Sequence, residues 1–294
     1  MIFPLSVKST YHKFDSLPFM KILVSTSHSL LEIDEATLEI RRIHSGKGLY
    51  YGIANAGDVI YVAARNRLVS SDLPQDEETG EILLFSRKLE FIKSLSADFP
   101  LRDLHEVAWD GECLWATCPY DNFVAKWNGN AWEKWFPQPE DSYQVKDKHH
   151  YNSILFESNL LWLLAHNFGE SELISFNKNK MELMSRQSLG FQAHNMWREN
   201  GLLHTCSSAQ GLILNEIESV VSTGGFPRGY CRSGNKRFVG ISELAERGAR
   251  DFTTSKILIY DGEWNLLNTL ELVNEGLLLD MKMLGPMDEQ VIAR

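Results

Sequence analysis

The feature of this sequence that most constrains its fold is a ten-residue frame that recurs along the chain. In the segment DLHEVAWDGECLWAT, a polar anchor, His105, is followed by apolar residues and a turn, and Trp115 lies ten positions after the anchor. Apolar runs on both sides of a turn made of Asn, Asp, Gly or Ser are typical of a β-hairpin. The same spacing joins four further pairs: Tyr51 and Tyr61, Asn152 and Trp162, His194 and His204, and Arg228 and Phe238.

Two more strand-like runs follow most of these hairpins, so the repeating unit has four short strands. After His105 the runs are NFVAKWN and AWEKWFP, and after Arg228 they are SKILIYDG and WNLLNTLEL. Successive anchors lie between 34 and 54 residues apart along the chain. Four-stranded units repeated at about this length predict a β-propeller.

The ends of the pattern predict how the ring closes. KILVSTS, SLLEID and TLEIRRI, near the start, read as three strands without an inner strand, whereas LLLDMKML, near the end, reads as an inner strand alone. Joined, they complete one blade, which removes exposed sheet edges. We therefore predict an all-β, six-bladed propeller over residues 20–294, preceded by an N-terminal extension, residues 1–19. The polar insertions 72–80 and 243–252 are expected on the surface.

Composition narrows the classes of partner and compartment. The formal net charge of −10 gives no general attraction for phosphate backbones, so we expect no nucleic-acid binding. No apolar run is long enough to span a membrane, and the first residues lack the features of a signal peptide. The four cysteines form no C-x-x-C pair, and free buried thiols fit a reducing compartment, so we predict a cytoplasmic protein.

Anchors at equivalent positions of the blades should converge on the central channel, because the first strand of each blade lines it. The sixth anchor is expected at Asp280, with Glu275 as the alternative. Asp103 and His150 each precede an anchor by two residues and should lie on the same strand face, nearer the rim. Glu106 is expected to point away from the axis. The candidate set is Tyr51, Asp103, His105, His150, Asn152, His194, Arg228 and Asp280.

Converging titratable groups in a cleft are typical of a functional site, although polar residues of a water-filled channel are also explained by hydration alone. We predict a catalytic set and a substrate-binding set. Arg228 suits an anionic group such as a carboxylate or phosphate. The catalytic set is His105, His150, His194 and Asp280, and the substrate-binding set is Tyr51, Asp103, Asn152 and Arg228.

The same residues are candidates for one divalent metal. His105, His150, His194 and Asp280 supply imidazole and carboxylate, which suit Zn, Fe or Mn, and an oxygen-rich version with Asn152, Asp280 and Glu106 suits Ca. Arg228 disfavours a metal directly beside it. Without a metal, His105 or His194 would act as a general base oriented by Asp103 or Asp280. The Gly-rich segment TGGFPRG precedes a strand and not a helix, so no nucleotide cofactor is expected.

Several short motifs carry a resemblance to a known family. They are Asp103-Leu104-His105, His150-Tyr151-Asn152, His194 after Ala193, Phe226-Pro227-Arg228-Gly229 and Leu279-Asp280-Met281. Over roughly residues 100–284 the chain resembles a bacterial family of uncharacterised six-bladed propellers, which has proline at position 193 and tyrosine at position 279. This resemblance implies the fold and the anchors but no reaction. The layout is also similar to the metal site of gluconolactonase and regucalcin propellers, with histidines in place of most of its ligands.

Two functions follow from this set. The first is an enzyme that acts on a small polar, anionic metabolite in the channel by hydrolysis, elimination, cyclisation or isomerisation. The alternative is a non-catalytic propeller scaffold that binds a protein or a small ligand. The unusual residues fall on the channel and not on an outer apolar patch, which favours the enzyme.

Overall fold

The structure is a computed structural model that describes residues 20–140 and 146–285. These residues form six antiparallel sheets of four strands each, arranged as the blades of a propeller. The predicted extension, residues 1–19, lies outside the described residues. Helix, in the part of the chain described, is limited to short 3₁₀ segments, which include Gln75–Glu77, Pro119–Asp121, Ser208–Gln210 and Arg247–Phe252. No helix within the described ranges is long and apolar enough to cross a membrane.

The blades follow one another along the chain. In each blade the first strand lies at the channel and the fourth lies outermost. The first blade has β4 (Tyr50–Ala56), β5 (Val59–Ala64), β6 (Glu81–Ser86) and β7 (Phe91–Leu95). The second has β8 (Val107–Trp109), β9 (Leu114–Cys118), β10 (Phe123–Trp127) and β11 (Trp132–Trp135). The third has β12 (Tyr151–Glu157), β13 (Leu160–Ala165), β14 (Glu170–Asn177) and β15 (Glu182–Phe191).

The remaining blades complete the ring. The fourth has β16 (Ala193–Glu199), β17 (Leu202–Ser207), β18 (Leu212–Asn215) and β19 (Ser219–Ser222). The fifth has β20 (Phe226–Ser233), β21 (Lys236–Ser242), β22 (Ser255–Tyr260) and β23 (Leu266–Leu272). The sixth has β24 (Leu278–Leu284) inside β1 (Lys21–Thr26), β2 (Ser29–Asp34) and β3 (Ile40–Ser45). This confirms the predicted closure, with Val24 opposite Met281 in the antiparallel pair.

The hydrophobic core lies between neighbouring blades. One cluster joins Ile22 of β1 and Leu278 of β24 to Phe238 of the fifth blade, and all three side chains are almost fully buried. Burying a side chain of this size stabilises the fold by roughly 1.5–3 kcal/mol. The outermost strands, such as β7, are mostly exposed. The inner strands are therefore fixed from both sides, which holds the channel residues in place.

The start of the inner strands shares an irregularity that matters for the channel. The pairing register shifts between Tyr50 and Ile53 in β4, between Tyr151 and Ser153 in β12, and between His194 and Met196 in β16. Similar shifts occur in β20 and beside β24. A β-bulge breaks the strict alternation of side chains and re-aims them. Consecutive residues at these positions can therefore face the axis together.

Candidate functional site

All six predicted anchors line one cavity on the propeller axis. The cavity is small, about 10 Å³, which is roughly the space of one water molecule. Asp280, and not Glu275, supplies the sixth anchor, because Glu275 instead binds Arg42 and Thr26. The lining residues are Tyr51, Gly52, His105, Glu106, Asn152, His194, Asn195, Arg228, Leu279 and Asp280.

The expectation that Glu106 points away from the axis was wrong. Glu106 lines the same cavity as His105, its neighbour in the chain. Both residues precede β8, which begins only at Val107, so the alternation of a regular strand does not apply to them. The same pattern brings Asn195 into the cavity beside His194, at the bulge of β16.

Aromatic rings form an arc at the end of the channel where the inner strands begin. Successive ring centroids are 4.3 Å, 4.6 Å, 4.8 Å, 5.1 Å and 5.6 Å apart. We call these residues the histidine arc, and in order they are Tyr51, His105, His150, His166, His194 and Phe226. The arc links blades one to five, so it surrounds most of the channel mouth.

His166 and Arg65 belong to this site and were not among the predicted residues. Each follows the second strand of its blade, and antiparallel pairing places that strand's end beside the start of the inner strand. A second spacing in the sequence marks them, because Arg65 lies fourteen residues after Tyr51 and His166 fourteen after Asn152. Ser208 has the same offset from His194, with which it shares a hydrogen bond.

Hydrogen bonds fix which nitrogen of His105 and of His194 carries the proton. His105 Nδ1 lies 2.6 Å from the Asp103 carbonyl oxygen, which only accepts, so Nδ1 donates and Nε2 keeps its lone pair. His194 Nδ1 lies 2.8 Å from Ser208 Oγ, and that hydroxyl donates its own hydrogen to the Pro227 carbonyl at 2.7 Å. His194 therefore also donates from Nδ1 and presents Nε2 as an acceptor.

His150 and His166 are oriented in opposite ways. His150 Nδ1 donates to Asp147 Oδ1 at 2.7 Å, which leaves Nε2 as the second ring nitrogen. His166 Nδ1 accepts the backbone N–H of Phe168 at 3.1 Å, so its proton sits on Nε2. The arc therefore contains imidazoles that accept through Nε2 and one that donates through it.

Burial keeps most of these imidazoles neutral. Burial, followed by the charges of His150 and Arg65, lowers the pKa of His105 well below its ordinary value. Burial and the charge of Arg228 likewise lower the pKa of His194, and burial with His150 and Arg228 lowers that of His166 to about 2. A neutral imidazole is the form that accepts a proton or binds a metal.

Asp103 sits in a buried ion network beside the arc. Its carboxylate pairs with Arg65, which also pairs side-on with Glu78 at 2.9 Å and 2.6 Å. Glu78 is fully buried although it belongs to the insertion 72–80, so the prediction of a surface position was wrong there. Asp251, in the insertion 243–252, is also buried, and its side chain accepts the backbone N–H of Ser70 at 2.7 Å.

The same network sets the charges of its members. Burial raises the pKa of Asp103, although the neighbouring Arg65 opposes this. Burial alone would lower the pKa of Arg65, but the charges of Asp103 and Glu78 outweigh burial, so this pKa is raised. A second buried guanidinium, Arg67, lies 3.6 Å from Glu78, so the two carboxylates of the network face two cations.

Asp103, His105 and His150 form a group that could hold a metal ion, since one donor atom from each lies within 4.8 Å of the others. Asp103 Oδ2 is buried and has no hydrogen-bond partner among the described residues. His194 and Asp280, which we also predicted as ligands, are outside this group. Two imidazoles and one carboxylate suit Zn, Fe or Mn better than Ca.

Unpartnered polar atoms concentrate around the axial cavity. Within the described residues, Asn152 Oδ1, His194 Nε2 and two nitrogens of Arg228, Nε and Nη1, are buried without a hydrogen-bond partner. Glu106 Oε1 is a further such atom. Each buried polar group left unpaired costs roughly 1–3 kcal/mol, so native proteins seldom keep several together. Their concentration at one cavity points to a bound water or ligand.

Other polar residues of the channel are well satisfied and tie the blades together. Asp280 of β24 accepts the backbone N–H of Ile53 in β4 at 2.9 Å and the Asn195 side chain of β16 at 3.1 Å. Asn195 in turn accepts the Gly229 N–H of β20 at 2.7 Å. The Gly52 N–H of β4 donates to the His105 carbonyl at 2.7 Å, ahead of β8. We call Gly52, Asn195 and Asp280 the axial collar.

Backbone conformation at the site is unusual for residues with side chains. Asp103, His150 and Asn195 adopt the left-handed region, with φ of +56°, +50° and +57°. Such conformations cost of order 1 kcal/mol or more and persist where the surrounding structure enforces them. Asp103 lies between two of the imidazoles, with its carboxylate oxygens 3.7 Å from His150 Nδ1 and 3.7 Å from His105 Nδ1.

A scan against protein-family models finds no match for this chain, and a search of curated proteins finds none. Among solved structures, the chain is similar to one from a nidogen/laminin complex, with a TM-score of 0.64 and 9% identity over 90% of this chain and 98% of that one. It is also similar to a protein of unknown function from Bacteroides caccae, with a TM-score of 0.63 and 12% identity over 90% of this chain and 99% of that one. At such identities the similarity shows the fold alone: a six-bladed β-propeller.

Proposed function

We propose that the protein is an enzyme that binds a small anionic metabolite at the histidine arc and transfers protons through neutral imidazoles. The observation that carries the proposal is the set of buried, unpartnered polar atoms at the axial cavity: Asn152 Oδ1, His194 Nε2, and Nε and Nη1 of Arg228. These atoms come from three blades, so a ligand is the simplest group that satisfies them together. Tyr51 and Asn152 would position it.

Positive charge at the mouth supports an anionic ligand. Arg228 lies over the Phe226 ring at 5.2 Å and takes part in no ion pair among the described residues. Burial and then the nearby charges of Arg228 and Arg247 lower the pKa of Arg250, so the three guanidinium groups repel one another. An anion on Arg228 would relieve this repulsion.

Proton transfer is assigned to the imidazoles whose hydrogen bonds leave Nε2 unprotonated. His194 Nε2 is the unpartnered base at the cavity, and Ser208 holds its ring by accepting from Nδ1. His105 is the second candidate base, with its ring held by the Asp103 carbonyl. His166, a neutral imidazole with its hydrogen on Nε2, lies 5.1 Å from His194 between ring centroids and is placed to donate a hydrogen bond to the substrate. The proton that His194 accepts is returned by the resulting His194 imidazolium. Such residues suit hydrolysis, elimination, cyclisation or isomerisation.

A divalent metal would fit beside these bases. Asp103 Oδ2 is an unpartnered buried carboxylate oxygen, and His105 and His150 each donate from Nδ1 to a protein oxygen, which is the usual support for ligation through Nε2. When bound, Zn, Fe or Mn would polarise a substrate oxygen or lower the pKa of a water. His194 and Asp280 would contact substrate or orient neighbours in this arrangement and would not be ligands.

We also propose that the chain is a member of the bacterial propeller family that it resembles and that it is cytoplasmic. The channel motifs that carry the family resemblance supply six of the site residues: Asp103, His105, His150, Asn152, His194 and Arg228. Within the described residues Cys113, Cys118 and Cys206 form no disulfide, which fits a reducing compartment. A scaffold that binds the same anion without converting it is the second candidate, and the narrow cavity favours it.

The test screens small carboxylates and phosphate esters by thermal shift, followed by NMR of incubations in D2O. Arg228→Gln should abolish ligand stabilisation, and Arg186→Gln, on an outer strand, is the matched control. His194→Gln should slow conversion or deuterium incorporation by about a hundredfold or more, as for loss of a general base. If no anion stabilises the wild type, the proposal is wrong. If an anion binds but neither reacts nor exchanges, the scaffold is correct.

Metal content is measured separately on the full chain by elemental analysis after reconstitution with Zn, Fe or Mn. The double variant His105→Ala with His150→Ala should lose stoichiometric metal, and His204→Ala, on β17, should retain it. Equal content in all three proteins would contradict a metal at this group, and so would its absence from the wild type.

A further inference from the structure

The unpartnered atoms at the axial cavity are of two opposite kinds. Arg228, on β20, presents donors, since its Nε and Nη1 carry hydrogens and have no acceptor among the described residues. His194, on β16, and Asn152, on β12, present acceptors. A water molecule can accept two hydrogen bonds and donate two, so it is one candidate for these atoms. A ligand with an accepting end and a donating end serves the same atoms and also gives Arg228 a counter-charge.

The donating side is held ready for an anion. Arg228 stacks on Phe226. Arg237, elsewhere in the same blade, instead donates from Nη2 and Nε to Glu199 Oε1, at 2.6 Å and 3.0 Å. An aromatic ring positions a guanidinium without occupying its N–H groups. Two free donor nitrogens favour a group with more than one anionic oxygen, such as a carboxylate.

The accepting side is fixed by its own hydrogen bonds. His194 Nδ1 donates to Ser208, so Nε2 accepts, and Asn152 Nδ2 donates to the Ala193 carbonyl at 2.8 Å, so Oδ1 accepts. Both side chains are about 95% buried, with exposures of 4% and 5%. The matching ligand group must donate a hydrogen and must fit a cavity of about 10 Å³. A hydroxyl meets both requirements, and an ammonium would add positive charge beside Arg228.

We infer that the ligand is a hydroxycarboxylate, with its carboxylate on Arg228 and its hydroxyl in the axial cavity beside Asn152 Oδ1, donating its single hydrogen to His194 Nε2. This inference rests on the proposed function and names its substrate class. The rest of the ligand lies at the mouth, because the cavity admits only one group of that size. The hydroxyl then lies on the atom assigned as the base, so the reaction begins at that oxygen.

Matched ligands test this by isothermal titration calorimetry on the full chain. The hydroxy acids glycolate, lactate, 3-hydroxybutyrate and gluconate are compared with acetate, propionate, butyrate and the methyl ether 2-methoxypropionate, and alanine is the amine arm. At least one hydroxy acid should bind about tenfold or more tightly than its deoxy partner, as expected for a buried hydrogen bond. The methyl ether should bind no better than propionate, since it cannot donate.

Variants separate the two ends of the ligand. His194→Phe should remove the preference for the hydroxyl and leave the binding of the deoxy acid, whereas Arg228→Gln should remove both. Should His194→Phe fail to fold, Asn152→Asp, which adds charge at the accepting side, should weaken hydroxy acids and deoxy acids alike. His204→Phe, outside the channel, should behave as the wild type.

The outcomes distinguish this inference from the proposed function. Carboxylates that bind through Arg228 without preference for a hydroxyl, or alanine binding more tightly than lactate, would overturn the inference and leave the proposed function standing. If phosphate esters bind but no carboxylate does, the inference fails and the proposed function stands; if no anion binds, both fail. A hydroxy acid that binds with the predicted preference but is never converted supports the inference and contradicts the enzyme.

Discussion

The histidine arc and the axial collar line the same channel but use their polar groups differently. Collar residues follow arc residues directly in the chain at two places, Gly52 after Tyr51 and Asn195 after His194. The collar's Asp280 accepts hydrogen bonds from Ile53, Asn195 and Met281, on three strands. At the arc, by contrast, His194 Nε2 has no partner among the described residues.

The difference separates stability from function within one ring of polar residues. A satisfied polar group stabilises the fold by holding strands together, whereas an unsatisfied one costs stability and is kept only where it serves something else. Channel residues could all be purely structural. The collar residues fit that description, because their polar groups are satisfied, but the unpartnered Nε2 of His194 in the arc does not fit it.

The largest expected effect comes from the ion network that supports the arc. Arg65→Met should lower the free energy of unfolding by about 3–5 kcal/mol, because it leaves Asp103 buried without its guanidinium and leaves Glu78 only the more distant Arg67, at 3.6 Å. Urea denaturation measures this. The control is Arg41→Met, whose partner Glu32 keeps a second cation in Lys21. A loss as small as the control's would show that the network is not needed for folding.

The second largest effect on stability is expected at the axial collar. Asp280→Leu removes the acceptor for three donors, so we expect unfolding to become easier by about 3 kcal/mol in urea. Asp280→Asn, which keeps one oxygen, should lose less. A stable Asp280→Leu protein would break the contrast, since the collar would then be no more structural than the arc.

Arg228, which stacks on the arc's Phe226 and lines the axial cavity, should show the opposite balance. Arg228→Met should change the free energy of unfolding by less than about 1 kcal/mol, because it removes unpaired donors and only a cation–π contact. Ligand affinity should nevertheless fall by more than about tenfold, if a charge-assisted hydrogen bond of roughly 1.5–3 kcal/mol is lost. A large loss of stability without any change in binding would place Arg228 with the collar.

The smallest effect is a difference in pH dependence between carboxyl groups. Burial would raise the pKa of Glu199, outside the channel, but Arg237 and Tyr230 outweigh it and lower it, so its stabilisation is lost as pH falls below about 4. Burial and then Asp280 raise the pKa of Glu106, so its contribution is present below its ordinary pKa and is lost as pH rises above about 4.

Chemical denaturation across pH tests this with matched variants. Glu199→Gln should flatten the acid side of the stability profile, and Glu106→Gln should flatten the decline at higher pH. Identical slopes for the two variants would contradict the difference in their surroundings.

The fold and the anchors were predictable because both depend on local spacing. The ten-residue frame places each anchor opposite the following strand, so Tyr51, Asn152, His194 and Arg228 could be aligned without knowing any long-range contact. The position of Glu106 was not predictable in this way, because a bulge or an irregular entry into a strand changes which side chains face the axis.

Other parts of the site depend on contacts that sequence spacing does not encode. Glu78 is buried against Arg65 and Arg67, whereas a carboxylate in a polar insertion otherwise predicts exposure. His166 carried a signal in its fourteen-residue offset from Asn152, but recognising it required knowing that the second strand ends at the channel mouth.

Closure of the sixth blade also governs when the site can exist during synthesis. Asp280 lies on β24, which pairs with β1 near the other end of the described chain. A ribosome has therefore made five blades and three strands of the sixth before the residue that joins β24 to β4 and β16 emerges. The nascent protein passes through a stage with a complete set of imidazoles and no closed ring to hold them, so binding should appear only with the last strand.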